Sequence, residues 1–324
     1  MNSSWTIRPV RDQDFAEITI TESFIRPEPV TESQTREWYD LVRKDKDLHT
    51  EWLVATSGAG RDGDGSFLGW GYWGEAYWLA PDEREIHVAV PPANRGRGIG
   101  SYLLRHLETL AIRDHPRAFY AEGRGYDRDS LEWAQRRGYT VERERTEGVL
   151  DLTQFDASRF QADLSRVRLA RIDIRMLWDD EADPYMPGLY RVGIETLRDV
   201  PYRSAGSTDP SYEAWLRTYE ETSARKLFGV ALKDGEVVGF TVVWMPQTQG
   251  ESASVDYTGV LKGYRGMGIA LALKVGSAAE AAKAGAGTMR TNNDPANPAI
   301  LHVNLKLGFR PVPGPVILKK NLAP

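Results

Sequence analysis

The chain has 324 residues and 41% hydrophobic content, enough for two ordinary domains, each with its own core. A formal net charge of -5 offers no basic field to neutralise many phosphates, so nucleic acid is not expected as a partner and small molecules are. Cysteine is absent, which excludes disulfides, thiolate metal sites and cysteine nucleophiles together, and no metal site is expected.

The first 14 residues lack the apolar core of a secretory signal, and the most apolar stretch, residues 237–245, is too short to span a bilayer. A cytoplasmic protein with no membrane partner is the expectation. A strand-like alternation opens the chain at "WTIRPV" from Trp5, followed by polar sequence that can start a helix. A Gly- and Asp-rich loop, "SGAGRDGDGS", then precedes the aromatic run Trp70, Tyr72, Trp73, Tyr77 and Trp78; the loop is expected to be mobile. Part of the run must be core, and part offers a stacking wall for a ligand. A strand over 84–90 leads into "NRGRGIG" at 94–100, after which Leu103, Leu104, Leu107, Leu110 and Ala111 share one face of a helix. A polar seam at 153–168 reads as a short helix. The second half opens with "ARIDIRM" from Ala170. It continues with a hairpin, "KLFGVAL" and "VVGFTVVW", around the turn "KDGE". A strand over 254–260, the run "YRGMGIA" at 264–270, an alanine-rich helix and a strand "TMRT" follow.

Three landmarks recur at one offset of 170 residues: "DGSFLG" at Asp64 with "DGEVVG" at Asp234, the glycine runs at Arg95 and Arg265, and Gly138-Tyr139 with Gly308-Phe309. The chain therefore reads as an α/β protein made of two copies of one domain, residues 1–160 and 161–324.

A strand, a glycine loop and a helix make an anion site, because the first amides of a helix lack internal partners and carry the positive end of its dipole. Arg95 and Arg265 add charge at the entrance. A Rossmann site would need G-x-G-x-x-G directly after the strand, and a Walker loop would need a lysine before Ser or Thr; neither is present.

The runs resemble motif A, [RQ]-x-x-G-x-[GA], of the GNAT superfamily of acyl-CoA N-acyltransferases, as Arg95, Gly98, Gly100 and as Arg265, Gly268, Ala270. The layout resembles that of tandem members such as mycothiol synthase. The resemblance implies two domains, each a twisted mixed β-sheet flanked by helices, and acetyl-CoA or coenzyme A as cofactor. It places the pyrophosphate on Arg95, Gly96, Arg97, Gly98, Ile99, Gly100 and Ser101, and on Arg265, Gly266, Met267, Gly268, Ile269 and Ala270. It places the pantetheine arm along Val88 and Val90, along Thr258 and Val260, and beside Asn293 and Asn297. The family pattern N-x(6)-Y-x(3)-G-[FY] is met by Asn297, Asn304, Gly308 and Phe309, and more loosely by Asp127, Ala134, Gly138 and Tyr139. The tyrosine that protonates the leaving thiolate is missing from both.

Because copy two keeps Asn297, the chemistry is assigned there. Alternation puts Asp256, Thr258 and Val260 on one strand face and Tyr257 on the other. Asp256 is the candidate base through water, or a strand-edge aspartate paired to an arginine. Asn304 can donate a hydrogen bond but not a proton, and Tyr257 is a substitute acid or a cleft-lining side chain. His87 and His302 read as structural. The expected activity is acyl transfer to a small-molecule amine by a monomer or homodimer. The alternatives are a silent acyl-CoA-binding module and a protein N-acetyltransferase.

Overall fold

The structure is a computed structural model that describes residues 5–28, 30–58, 65–201, 203–247 and 250–322. Residues 59–64, most of the loop expected to be mobile, lie outside the described residues. The first half runs β1 (Trp5–Pro9), α1 (Phe15–Ser23), α2 (Glu32–Lys44), β2 (Thr50–Ser57), β3 (Phe67–Gly74), β4 (Glu83–Ala89), α3 (Ile99–Ala111), β5 (Ala118–Arg124), α4 (Arg128–Gln135) and β6 (Thr140–Asp151). The second runs α5 (Gln161–Leu169), β7 (Ile172–Trp178), α6 (Met186–Leu197), α7 (Tyr212–Glu220), β8 (Lys226–Lys233), β9 (Glu236–Trp244), β10 (Ser252–Val260), α8 (Ile269–Lys283), β11 (Thr288–Asn293), α9 (Pro298–Leu307) and β12 (Arg310–Asn321). Among the described residues no helix is long and apolar enough to cross a membrane.

Two compact units form, and they are not consecutive halves. Unit 1 takes residues 1–143, 204–209 and 316–324; unit 2 takes 144–203 and 210–315. In unit 1 the sheet order is β1-β2-β3-β4-β5, then residues 316–321 of β12. Strands β1 to β4 are antiparallel neighbours, and β4 with β5 is a parallel pair. Unit 2 repeats the plan as β7-β8-β9-β10-β11, with β10 and β11 parallel and β6 antiparallel to β11. A parallel pair needs a crossover, and α3 and α8 supply it.

The central strands are buried on both faces, which is why β3, β8 and β9 read as almost unbroken apolar runs. In unit 1, Ile18 of α1 packs with Trp52, Val54, Trp70 and Tyr72, whereas Trp73 joins Leu53, Leu104 and Leu107 of the α3 side. Trp70, Tyr72 and Trp73 are therefore core divided between two faces, while Tyr77 and Trp78 are half-buried. In unit 2, Leu189 and Val192 of α6 and Ala272 and Leu273 of α8 share a core with Phe228, Val230 and Phe240. The polar seam does form a helix, α5, which buries Val167.

The β8–β9 hairpin turns at Asp234 (φ 51°) and Gly235 (φ 88°), with Lys233 opposite Glu236, as a two-residue turn with both central residues at positive φ requires. A Cβ on Gly235 would meet nothing within 4 Å, so the cost of adding one is backbone strain alone. Gly235→Ala should destabilise unit 2 by about 1–2 kcal/mol, read from a denaturation midpoint.

Candidate active site

In both units the strand before the glycine run leaves its parallel neighbour part-way along. The ladder between β4 and β5 covers only Glu83 to Glu85, and that between β10 and β11 only Ser252 to Val255. Each strand then continues beside its antiparallel partner alone, to Ala89 and to Val260, and a fork opens. One 3-10 turn follows, Pro92–Asn94 or Lys262–Tyr264, and then the loop. Gly96 and Gly98 have φ of 73° and 91°; Gly266 and Gly268 have 78° and 87°. L-side chains avoid this region, so the loop shape depends on glycine.

Gly98 and Gly268 are the N-caps of α3 and α8, and neither helix start has a side-chain cap. The first helical bonds come from the amides of Tyr102 and Ala272, so those of Ile99, Gly100 and Ser101, and of Ile269, Ala270 and Leu271, have no partner within the helix. By contrast α2, α4, α7 and α9 are capped by Thr31, Asp127, Ser211 and Asn297. A Cβ on Gly96 or Gly266 would meet nothing within 4 Å. Uncapped amides beside open space fit the diphosphate of a coenzyme A-type ligand.

The loop arginines do something other than hang at the entrance. Arg95 Nε donates to the Val90 carbonyl at 3.0 Å and Arg265 Nε to that of Val260 at 2.9 Å, fastening each loop to its strand end. Arg265 also pairs with Asp199, which offsets its charge. Unit 1 carries more: Arg97 bonds Asn94, and Arg137 lies on the Trp133 ring and bonds the Ser101 hydroxyl. Burial, then the charges of Arg136 and Arg105, lower the Arg137 pKa. Unit 2 has Met267 and Leu307 at the corresponding positions.

Residues 16–139 and 192–309 each match the model of the Acetyltransferase (GNAT) family. The chain belongs to the GNAT acetyltransferase family. It carries two GNAT domains in tandem, and members of the family generally use acetyl-CoA. The fold is similar to that of a tandem GNAT protein from the clavulanic acid biosynthesis pathway, at 18% identity over 99% of both chains and a TM-score of 0.75. It is also similar to a GCN5-related N-acetyltransferase from Sphaerobacter thermophilus, at 19% identity over 99% of this chain and 96% of that one, with a TM-score of 0.67. Among the curated proteins no sequence matches it.

Within the second GNAT domain the side chains of β10 do not alternate as expected. A bulge between Val255 and Tyr257 leaves Asp256 without a ladder partner on β9. Consecutive side chains consequently turn to the same side: Tyr219 of α7 donates to Asp256 Oδ2 at 3.1 Å, and Tyr257 meets Thr196 of α6 at 2.8 Å. Thr258 turns away and bonds Thr241, while Val260 lies beside Ile269 at the start of α8. Asp256 and Tyr257 thus share a face, and Thr258 and Val260 the other. Thr196 donates to the Val192 carbonyl at 2.7 Å, so it accepts from Tyr257, whose proton is committed. Although Asp256 keeps solvent access as a residue, protein crowding around its carboxylate raises its pKa, against hydrogen bonds from Trp244 and Tyr219. Tyr219 is a site residue that sequence reading missed, since nothing in its helix marks it.

The two asparagines named beside the pantetheine arm lie at the start of α9 and the end of β11. Asn297 accepts from the Ile300 amide as the cap of α9, and Asp127 does the same for Ser130 in α4. The residue that distinguished copy two is matched by an equivalent cap in copy one. Asn293 ends β11 and donates to Thr291 at 3.5 Å.

The first GNAT domain has its own titratable cluster. Glu85 and His87 share the α1 face of β4; His87 Nε2 lies 3.2 Å from Glu22 of α1 and stacks on Tyr72. Burial, then the charge of Glu122, push Glu85 up to about 7, against hydrogen bonds from Tyr72 and Trp78. Burial alone would raise Glu22, but His87 and Arg26 outweigh it and hold its pKa at about 2. Sequence reading passed over both glutamates, although Glu85 stands two residues before His87 on the strand that enters the loop. A depressed folded-state pKa gives stability that is present above the ordinary glutamate value and is lost as pH falls to about 2. Glu22→Gln should therefore cost on the order of 3 kcal/mol at pH 7 and nothing near pH 2, as measured by urea denaturation across that range.

Proposed function

We propose that the chain transfers the acetyl group of acetyl-CoA to the amine of a small molecule, with the chemistry in unit 2. The observation that carries the reading is the uncapped, glycine-opened start of α8 one loop away from a forked strand whose bulge presents Asp256. The amides of Gly268 to Leu271 hold the diphosphate, and the strand edge from Asp256 to Val260, which β11 leaves, takes the pantetheine arm. The bound donor supplies an activated acyl carbon.

Acyl transfer needs a neutral amine, a held carbonyl and a place for the proton. Asp256 removes the proton: its raised pKa makes it a stronger base than an ordinary aspartate, and Tyr219 keeps one oxygen oriented. The strand amides beside it are placed to stabilise charge on the carbonyl oxygen. Tyr257, bound to Thr196, shapes the cleft.

A second reading places the chemistry in unit 1, and Glu85 favours it, since a carboxyl near pH 7 is matched to general base work. The absence of cysteine allows thiol release to be followed without background from the chain. With an amine panel, Asp256→Asn should lower kcat about 100-fold or more with KM for acetyl-CoA nearly unchanged, and should remove the rise of rate with pH. Glu85→Gln should leave the rate within about twofold. The reverse pattern moves the chemistry to unit 1, and coenzyme A binding with no thiol release from any amine identifies a silent binding module. Gly268→Val, which puts a branched side chain at φ 87°, should abolish turnover while Gly98→Val spares it.

A further inference from the structure

The two units differ most sharply in one buried spot. In unit 1, Leu104 of α3, Ala134 of α4 and Tyr139 belong to one apolar cluster. At the repeat offset of 170 residues, unit 2 has Lys274 of α8, Asn304 of α9 and Phe309. Lys274 is 1% exposed and Asn304 4%. Among the described residues, Lys274 Nζ and both polar side-chain atoms of Asn304 have no hydrogen-bond partner. Burying such groups unpaired is costly, a cost that leucine and alanine avoid.

The Phe309 ring connects the spot to the last strand pair before the fork. Lys274 Nζ is 5.3 Å from the centre of the Phe309 ring, and the Phe309 amide donates to the Asn304 carbonyl at 3.0 Å. The Phe309 ring and the Thr291 methyl converge over Gly148, where a Cβ would meet them at 3.2 and 3.4 Å. Thr291 and Val255 are the last pair before β10 and β11 part. Asn304 also occupies the position at which the family pattern has its tyrosine.

We propose that Lys274 and Asn304 form the polar group that meets the sulfur end of the acyl donor in unit 2, with Lys274 Nζ giving the departing sulfur its proton. The inference rests on the reading that unit 2 holds the donor. The carbon–sulfur bond breaks with its electron pair moving to sulfur, and Lys274 gives the sulfur its proton as the thiol departs. Asp256 takes the proton that the acceptor nitrogen loses as it bonds the acyl carbon, and solvent restores both groups. Asn304 donates to the same end of the ligand and holds it in place. Burial is the one cause acting on Lys274, with no charged group from β8, β9, β10, α5 or α9 contributing, and it lowers the amine to about 7. In its charged form the amine stabilises the thiolate in the site, and the proton follows as the thiol leaves for water, where it ionises near 8.5.

The test reads the ligand's thiol. Coenzyme A is bound to the full chain with the unit 1 loop closed by Gly98→Val, and thiolate absorbance is followed against pH with desulfo-coenzyme A as the blank. Beside Lys274 the bound thiol should ionise about one to three pH units below the free thiol. In Lys274→Met the shift should vanish, affinity for desulfo-coenzyme A should hold, and kcat should fall about 100-fold. Lys274→Leu, the residue found at Leu104, is the second variant should the first fold poorly. A bound thiol that ionises alike with and without the lysine overturns the proposal and leaves the acetyltransferase reading of unit 2 standing. Failure of unit 2 to bind coenzyme A in either protein overturns both.

Discussion

A helix cannot satisfy its own first amides, and everything around the two glycine loops follows from leaving that need unmet. Elsewhere α2, α4, α7 and α9 start with a Thr, Asp, Ser or Asn cap, and α1, α5 and α6 continue directly from a 3-10 turn. At α3 and α8 a left-handed glycine stands in the capping position and has no side chain to offer. A helix end of this kind is stable only because the remainder holds it: an arginine ties the loop to the preceding strand, and the helix body is buried against the sheet. The result is a set of amides without partners in their helix, at the positive end of its dipole, which suits a diphosphate.

The same frame then carries different side chains in each unit. Unit 1 surrounds its loop with Arg95, Arg97 and Arg137 and sets Glu85, His87 and Glu22 on the opposite side of its forked strand. Unit 2 has a less cationic loop, with Arg265 paired to Asp199. Its β10 bulge turns two consecutive side chains to one face, and Lys274 and Asn304 replace an apolar pair. A duplicated scaffold with one kind of glycine loop and two different sets of titratable neighbours matches the GNAT family assignment.

Much of this was legible in the residues. Glycine spacing marked both loops, the 170-residue offset exposed the duplication, and the Asp-Gly turn located the β8–β9 hairpin, because each is a local demand on backbone conformation. What escaped depended on tertiary contact. The bulge at Asp256 is set by pairing with β9, so strict alternation assigned the wrong faces. Asn297 caps α9, a role Asp127 fills equally well in α4, and that equivalence shows only in the fold. Tyr219 and Glu22 reach their partners only after helices pack on the sheet, and an alanine-rich helix gives no sign that its lysine is buried.

The central claim is that uncapped amides at the start of α3 or α8 hold the donor's diphosphate. Amide chemical shifts measured during titration with coenzyme A, and separately with pantetheine, test it most directly. The amides of Ile99 to Ser101, of Ile269 to Leu271, or of both sets should move strongly with coenzyme A and stay in place with pantetheine. Coenzyme A that binds while both sets remain unmoved would contradict the account.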